Sequence, residues 1–302
     1  MDKSNKISDF INEDLAYLLG LIVGKGVFVR EGQIRRLIIT FPYKSLVAEG
    51  YKSTYDKPLE LSSSLDAIVN RIRRYGLDVA KENVNKNDVS LIITWHREED
   101  LSWQILKYLL NDEFTDFHSF RIPKTIFESD REIQKEFLRG YFDTTGHIRK
   151  SNAAFGREDQ HRVYLEVDQR NWLLIADLAK LLENLEVPVH TIDFGHPNFR
   201  DPELKKAKGF WAKEHQIKIF ANHFAKIGSY LRHKDEVLKE LADKTQVVYG
   251  EDAGERTFRV REKPANPEEA SEKLPHFLQG KHFNHWKELL DFLTTTAENH
   301  DQ

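Results

Sequence analysis

Apolar and polar positions alternate in two runs of the same order. Residues 13–24 form a nearly continuous apolar stretch of helical length, with Asn12 or Asp14 placed to cap it and acids at its start. β-rich runs follow at 27–30 and 35–41, and the Glu31-Gly32-Gln33 between them is a hairpin connection. Leu65, Ile68, Val69 and Ile72 recur at helical spacing within 65–75, which ends at Gly76. Residues 89–95 read as a strand and 101–110 as a helix. The order then restarts, with a helix over 132–144, strands at 147–150 and 162–167, a strongly amphipathic helix over 172–185, strands at 187–194 and 216–220, and a helix over 224–241. This predicts an α+β fold built by internal duplication.

Composition narrows the class. The chain has 302 residues, 40% hydrophobic and 31% charged, the mixture of a globular protein. No apolar run approaches the roughly 20 residues that span a bilayer. The first residues lack the apolar core of a signal peptide, so the expected location is cytoplasmic, with no membrane partner. With no Cys there are no disulfides and no thiolate metal site. The net charge of −4 comes from residues 245–302, which hold 11 acids and 7 bases. Residues 1–244 are therefore neutral overall, and binding to nucleic acid would require their bases to gather on one face.

Two stretches carry the duplication. Residues 18–26 read Leu-Leu-Gly-Leu-Ile-Val-Gly-Lys-Gly, and 138–146 read Leu-Arg-Gly-Tyr-Phe-Asp-Thr-Thr-Gly. Gly20 and Gly24 are four apart, as are Gly140 and Thr144. Small residues at that spacing give smooth faces on which two helix backbones can approach closely. The ninth-place glycines, Gly26 and Gly146, are expected to accept positive φ, ending each helix and releasing the chain into a strand. Residues 120–126 (Phe-Arg-Ile-Pro-Lys-Thr-Ile) join the halves, with Pro123 breaking regular structure. The expected units are 1–122, 123–244 and a C-terminal extension at 245–302. In that extension, 283–293 reads as a helix able to pack through Trp286, Leu289, Leu290 and Leu293, and its acidic balance points to a protein partner.

The paired motif resembles that of the LAGLIDADG homing-endonuclease family, single-chain type. The first copy matches the signature at places one, three, four, five and nine, and the second at one, three, six and nine. Arg121-Ile-Pro-Lys, the phrase Phe137-Leu-Arg-Gly-Tyr-Phe-Asp, and the stretch from Ile217-Lys-Ile through Ile227-Gly to Lys234 are also similar to family phrases, so the resemblance covers roughly 12–242. It implies a pseudo-two-fold pair of αββαββα units, a saddle whose β-surface straddles the DNA major groove, plus the C-terminal helical tail. Strand alternation then names candidate contacts to phosphates or base edges: Arg36, Thr40, Thr94 and His96 in the first half, and His147, Arg149, Arg162, Tyr164, Gln216 and Lys218 in the second.

In cleaving members of the family, an acid at the eighth place of each motif binds divalent metal, Mg²⁺ being the ion expected if this chain cleaves. Here those places hold Lys25 and Thr145. A protonated lysine repels the ion, and threonine offers one neutral oxygen. Asp143 is an acid, but it precedes the eighth place by two residues, about 200° around the helix. The expectation is therefore a nucleic-acid-binding protein with a degenerate active site, most simply a monomer on double-stranded DNA, with no cofactor. Lys25 would clamp a phosphate. Family relatives without the acids, sporulation-type transcription regulators and some intron maturases, make retained binding the natural reading. Two alternatives stay open: an endonuclease with an unusual or partner-completed site, for which Glu166-Val-Asp168 and Asp143 are the acids at hand, and a maturase-like RNA binder. His276, His282 and His285 are a lesser candidate metal group. Arg71, Arg73 and Arg74 read as a solvated basic cluster.

Overall fold

The computed structural model describes residues 11–42, 48–49, 65–83, 88–97, 99–111, 116–151, 159–168, 170–171, 173–197, 213–247 and 259–260, together with 288, 291–292 and 295. His276, His282, His285 and almost all of the expected C-terminal helix lie outside these residues. Within that helix, Glu288, Asp291 and Phe292 are helical, and Phe292 packs against the core.

The first half runs α1 (Glu13–Lys25), β1 (Gly26–Glu31), β2 (Ile34–Phe41), β3 (Ala48–Glu49), α2 (Asp66–Arg73), β4 (Asp78–Asn83), β5 (Val89–Trp95) and α3 (Leu101–Leu109). A short α4 (Lys124–Glu128) bridges to the second half. That half runs α5 (Arg131–Thr145), β6 (Gly146–Arg149), β7 (Arg162–Val167), α6 (Leu173–Asn184), β8 (Thr191–Pro197), β9 (Lys213–Phe220), α7 (Ala221–Phe224) and α8 (Arg232–Asp243), followed by β10 (Arg259–Val260). Four antiparallel strands form each sheet, ordered β1-β2-β5-β4 in the first and β6-β7-β9-β8 in the second. The strand order is the same in both, so the αββαββα duplication is the observed architecture. Two short parallel strands extend the second sheet, β10 beside β8 and β3 beside β6. Through β3 the first half of the chain contributes a strand to the second sheet.

The two motif helices lie against each other at the centre. Asn12 caps α1, its side chain accepting from Leu15 N at 3.0 Å, and Asp130 caps α5. The glycines make a reciprocal contact: a Cβ on Gly20 would sit 2.0 Å from Phe137 O, and one on Gly140 would sit 2.2 Å from Tyr17 O. Backbone touches backbone at both places, which no residue larger than glycine permits. Gly24 instead faces side chains, those of Thr144 and Thr145. The close contact expected of Gly20, Gly24, Gly140 and Thr144 is thus present.

The ninth-place glycines act differently from expectation. Gly26 has φ −78° and Gly146 φ −80°, both ordinary extended backbone. They are small for a steric reason: a Cβ on Gly146 would lie 2.0 Å from the Phe142 ring, and one on Gly26 would lie 2.7 Å from Ile22 O. The helix-to-strand corner is too tight for a side chain.

Other elements also differ from the sequence pattern. The helix expected over 224–241 is broken into α7 and α8 by a turn at Gly228, whose φ is +72°. The strand expected over 187–194 begins only at Thr191, and α4 forms inside the connector just after Pro123, which fits the first turn of a helix. The outer strand β4 (DVAKEN) alternates too weakly to be seen, since Val79 is its one side chain in the core.

Candidate nucleic-acid interface and the motif helices

The motif helices deliver no paired carboxylates at their ends. Lys25 is half-buried, and its ammonium lies 4.5 Å from the centre of the Phe117 ring. Phe117 is held there by its own N–H, which donates to Gly26 O at 2.9 Å. Thr145 is buried and turns its hydroxyl back onto its own helix, donating to Tyr141 O at 2.8 Å. Thr144 does the same at 3.1 Å. A cation on an aromatic ring and a hydroxyl already bonded to backbone do not fit a divalent ion, which requires anionic oxygens.

Asp143 points into the interior and is fully buried. It accepts from Tyr17 Oη at 2.7 Å, Tyr230 N at 3.0 Å and the Ser229 hydroxyl. Burial raises its carboxyl above the ordinary aspartate value, while Lys234 and the three donors pull it back. Lys234, also buried, donates to Phe142 O and Gly146 O at 2.7 Å each and sits 4.0 Å over the Phe142 ring. These bonds pin the end of α5 as the chain turns into β6, alongside the Gly146 N–H that also donates to Phe142 O. Burial lowers its amine to about 7, offset in part by Asp143 and Glu166. Desolvation and the Asp143 contact raise the Tyr17 phenol. Asp143, the acid of the second motif, is therefore a packing anchor joining α1, α5 and the turn before α8.

Arg71 belongs to the same interior and not to a solvated cluster. Its guanidinium bonds Asp14 at 2.6 Å and Glu136 at 2.8 Å, and lies 4.4 Å from the Tyr17 ring centre and 4.7 Å from that of Tyr230. It ties α2 to both motif helices. Lys234 falls in a stretch already similar to a family phrase, but nothing in the local pattern marks it as buried. Arg71 and its partners come from three separate helices, a non-local arrangement that local pattern cannot reveal.

A second charged group lies beside the end of α1. His118 Nδ1 is 2.8 Å from Asp116 and its Nε2 is 3.5 Å from Asp168, whose carboxylate also accepts from Arg170 N and Nε at 3.0 Å. Partial burial raises the Asp168 carboxyl, but the Arg170 bonds, with a smaller influence from His118, outweigh it and hold Asp168 below its ordinary value. The imidazole stands between the two carboxylates. Among the described residues no three His, Asp or Glu side chains group in a way that could hold a metal ion.

The sheet faces turned away from the helices differ sharply. On the first sheet, Val27, Val29, Ile38, Ile92 and Ala80 occupy the half-buried or exposed middle. Arg36 is paired with Glu31 at 2.8 Å, Thr40 bonds Ser90 at 2.9 Å, and Thr94 lies beside Arg36 and Asp78. His96 is exposed just beyond the end of β5. On the second sheet the corresponding surface is polar and layered. His147 stacks on Tyr164 at 4.8 Å and 7°, and Lys218 lies 5.6 Å from the other partner of that row, the Tyr164 ring centre. His147 Nδ1 is 3.3 Å from Glu166, and Gln216 donates to Glu166 at 3.4 Å. His147, Tyr164 and Gln216 are buried, not exposed as alternation alone suggests, because neighbouring side chains cover one another. Arg149, Arg162 and Lys218 remain half-buried. With Ser151, Gln160 and Tyr164 they line a cavity of about 180 Å³.

The chain is similar in structure to LAGLIDADG homing endonucleases. Variants of the homing endonuclease I-DmoI are 16% identical, over 73% of this chain and 88% of theirs, with a TM-score of 0.39. The meganuclease I-SmaMI bound to uncleaveable DNA is 10% identical, over 77% and 90%, with a TM-score of 0.39. The LAGLIDADG meganuclease I-CpaMI bound to uncleaved DNA is 11% identical, over 77% and 91%, with a TM-score of 0.38. No protein-family model matches the chain, and no curated protein matches it. No helix among the described residues is long and apolar enough to cross a membrane.

Proposed function

We propose that this chain binds double-stranded DNA through the open face of its second sheet and does not cleave it. The observation that carries the reading is the gathering of Arg149, Arg162 and Lys218 on that face, around one cavity, in a chain that is otherwise acidic. Cationic groups on a sheet can meet successive phosphates, and release of counterions supplies the affinity. The absence of cleavage follows from the ends of the motif helices. Lys25 and Thr145 offer no anionic ligand, and Asp143 is committed to Tyr17, Ser229 and Tyr230. Recognition or regulation is the role that remains, with the 245–302 extension as the candidate contact for a protein partner.

Fluorescence anisotropy on random duplexes at several salt concentrations tests binding. A linear fall of log affinity with log salt is expected, and affinity independent of salt would reject the interface. Incubation of supercoiled plasmid with Mg²⁺ or Mn²⁺ tests the second half of the reading. Metal-dependent nicking lost on Asp168→Asn would show that the Asp116–His118–Asp168 group is catalytic and that the chain is an endonuclease of another design. Competition by RNA of the same sequence distinguishes a maturase-like binder.

A further inference from the structure

The apolar residues on the open face of the first sheet form a continuous row. Val27 pairs with Ile38, Ile38 with Ile92, and Ile92 with Ala80, so each of the four strands contributes one aliphatic side chain. Ala80 is exposed and the other three are half-buried, as is Val29 on the next row. The same row on the second sheet holds His147, Tyr164, Lys218 and Thr191. A single exposed aliphatic residue is ordinary, but an unbroken line of them across a sheet marks a contact surface.

The flanking rows decide the kind of contact. Val29, Arg36, Thr94 and Asp78 line one side, and Thr40, Ser90 and Glu82 the other. Arg36 is paired with Glu31 at 2.8 Å, Thr40 bonds Ser90 at 2.9 Å, and Asp78 and Glu82 stand exposed on the outer strand. Carboxylates repel phosphates and a neutralised arginine holds them weakly, so this face is not built to grip a DNA backbone. One row of four side chains is also far short of a stable protein interface, which takes about 20–30 residues a side.

The face adjoins the cationic one. The helices α1 and α5 run side by side in the same direction, Gly20 meeting Phe137 and Tyr141, and Gly24 meeting Thr144 and Thr145. β1 leaves from the end of the first and β6 from the end of the second, and α5 packs under strands of both sheets. A duplex lying along both open faces would rest its phosphates on the second sheet and turn base edges to the first. Those edges carry a single kind of apolar group in the major groove, the C5 methyl of thymine. Three strand spacings make the row ~14 Å long, the rise of about four base pairs.

We infer that the row of Val27, Ile38, Ile92 and Ala80 reads thymine methyl groups in the major groove, so that the part of a DNA target lying on the first sheet is chosen for thymines. The inference rests on the DNA-binding reading above. The experiment selects the tightest duplex for the full chain from a random library and remakes it with deoxyuridine for thymidine, which removes the methyls and keeps every phosphate and hydrogen-bonding edge. Affinity is expected to fall about fourfold for each methyl the row touches, with the salt slope unchanged. Ile38→Ala and, separately, Ile92→Ala should shrink that penalty, whereas Arg149→Gln should weaken both duplexes and preserve their ratio. Equal affinity of the wild type for the two duplexes overturns the inference and leaves DNA binding standing. A penalty that persists undiminished in both isoleucine variants places the methyl contact elsewhere and overturns it as well. Self-association in sedimentation that Ile38→Ala abolishes, with no deoxyuridine penalty, assigns the row to a second copy of the chain instead. A library that yields no bound duplex rejects the DNA reading itself, and the inference with it.

Discussion

Equivalent places on the two sheets can be matched through the motif glycines. Gly26 pairs with Ile39 and Gly146 with Leu165, and these in turn pair with Leu91 and Ile217. Counting from those rows, Val27, Val29, Ile38 and Ile92 on the first sheet correspond to His147, Arg149, Tyr164 and Lys218 on the second. The inward rows, by contrast, are alike: Leu37, Ile39, Leu91 and Ile93 against Val163, Leu165, Ile217 and Ile219, all buried. The duplicated fold fixes the inward rows because helices must pack there, and it places no such demand on the outward rows. One half carries a polar, cationic outward surface and the other an apolar middle, so under the proposed reading the two halves would meet DNA unequally.

The helix pair is the part both halves depend on, and it should give the largest effect. Gly20→Val places a side chain where a Cβ alone already meets Phe137 O at 2.0 Å. A loss on the order of 4 kcal/mol in urea unfolding is expected, enough to leave much of the protein unfolded. Gly140→Val should match it, since the contact is reciprocal. A loss below about 1 kcal/mol at either site would mean that the helices separate freely and that the two halves are more independent than their packing implies.

Asp143→Ala comes next, at about 3 kcal/mol, because it leaves the buried Tyr17 and the half-buried Ser229 without their acceptor and takes from buried Lys234 the carboxylate near it. Circular-dichroism melting would measure it. DNA affinity at a temperature where the variant stays folded should not change, and a selective loss of binding would move Asp143 from the core to the interface.

Legibility in the sequence followed locality. The motif helices and the strands with strong alternation, β2, β5 and β7, were readable from periodicity because one face of each is apolar. β4 was not, with one core residue in six, and neither was the break before α8, which serves Asp143 across 86 residues through Ser229. Alternation gave the parity of the candidate interface correctly, with Arg149, Arg162 and Lys218 on one surface. It could not show that His147, Tyr164 and Gln216 would be covered by that surface's own neighbours, nor that Arg71 would be drawn inward by Asp14 and Glu136.

Lys234 gives a pH test of the second half alone. Its folded value of about 7 lies below the unfolded value of 10.5. Between the two the unfolded chain holds a proton that the folded chain has released, so this group adds stability as pH rises from 7 to 10 and subtracts it below. Asp143, the facing acid, is raised, so its own contribution falls with rising pH at the acid end; in Lys234→Met it loses the cation that pulls it down, which adds to the same trend. The melting temperature of the wild type minus that of Lys234→Met should therefore climb between pH 7 and 10. A flat difference would show that the buried amine keeps its charge throughout.

The smallest effect decides the comparison between the sheets. If the second sheet alone meets phosphate, Arg149→Gln should lower the slope of log affinity against log salt by about one, weakening all duplex sequences alike. Arg36→Gln, at a place already satisfied by Glu31, should leave both slope and affinity unchanged. A second outcome is as informative. Were Arg36→Gln to reduce the slope as much as Arg149→Gln, Arg36 would have to leave Glu31 on binding, and the apolar middle of the first sheet would lie over the groove with its edges on the backbone. Selective loss on some sequences but not others would assign the altered arginine to base edges, because a phosphate contact carries no sequence information of its own.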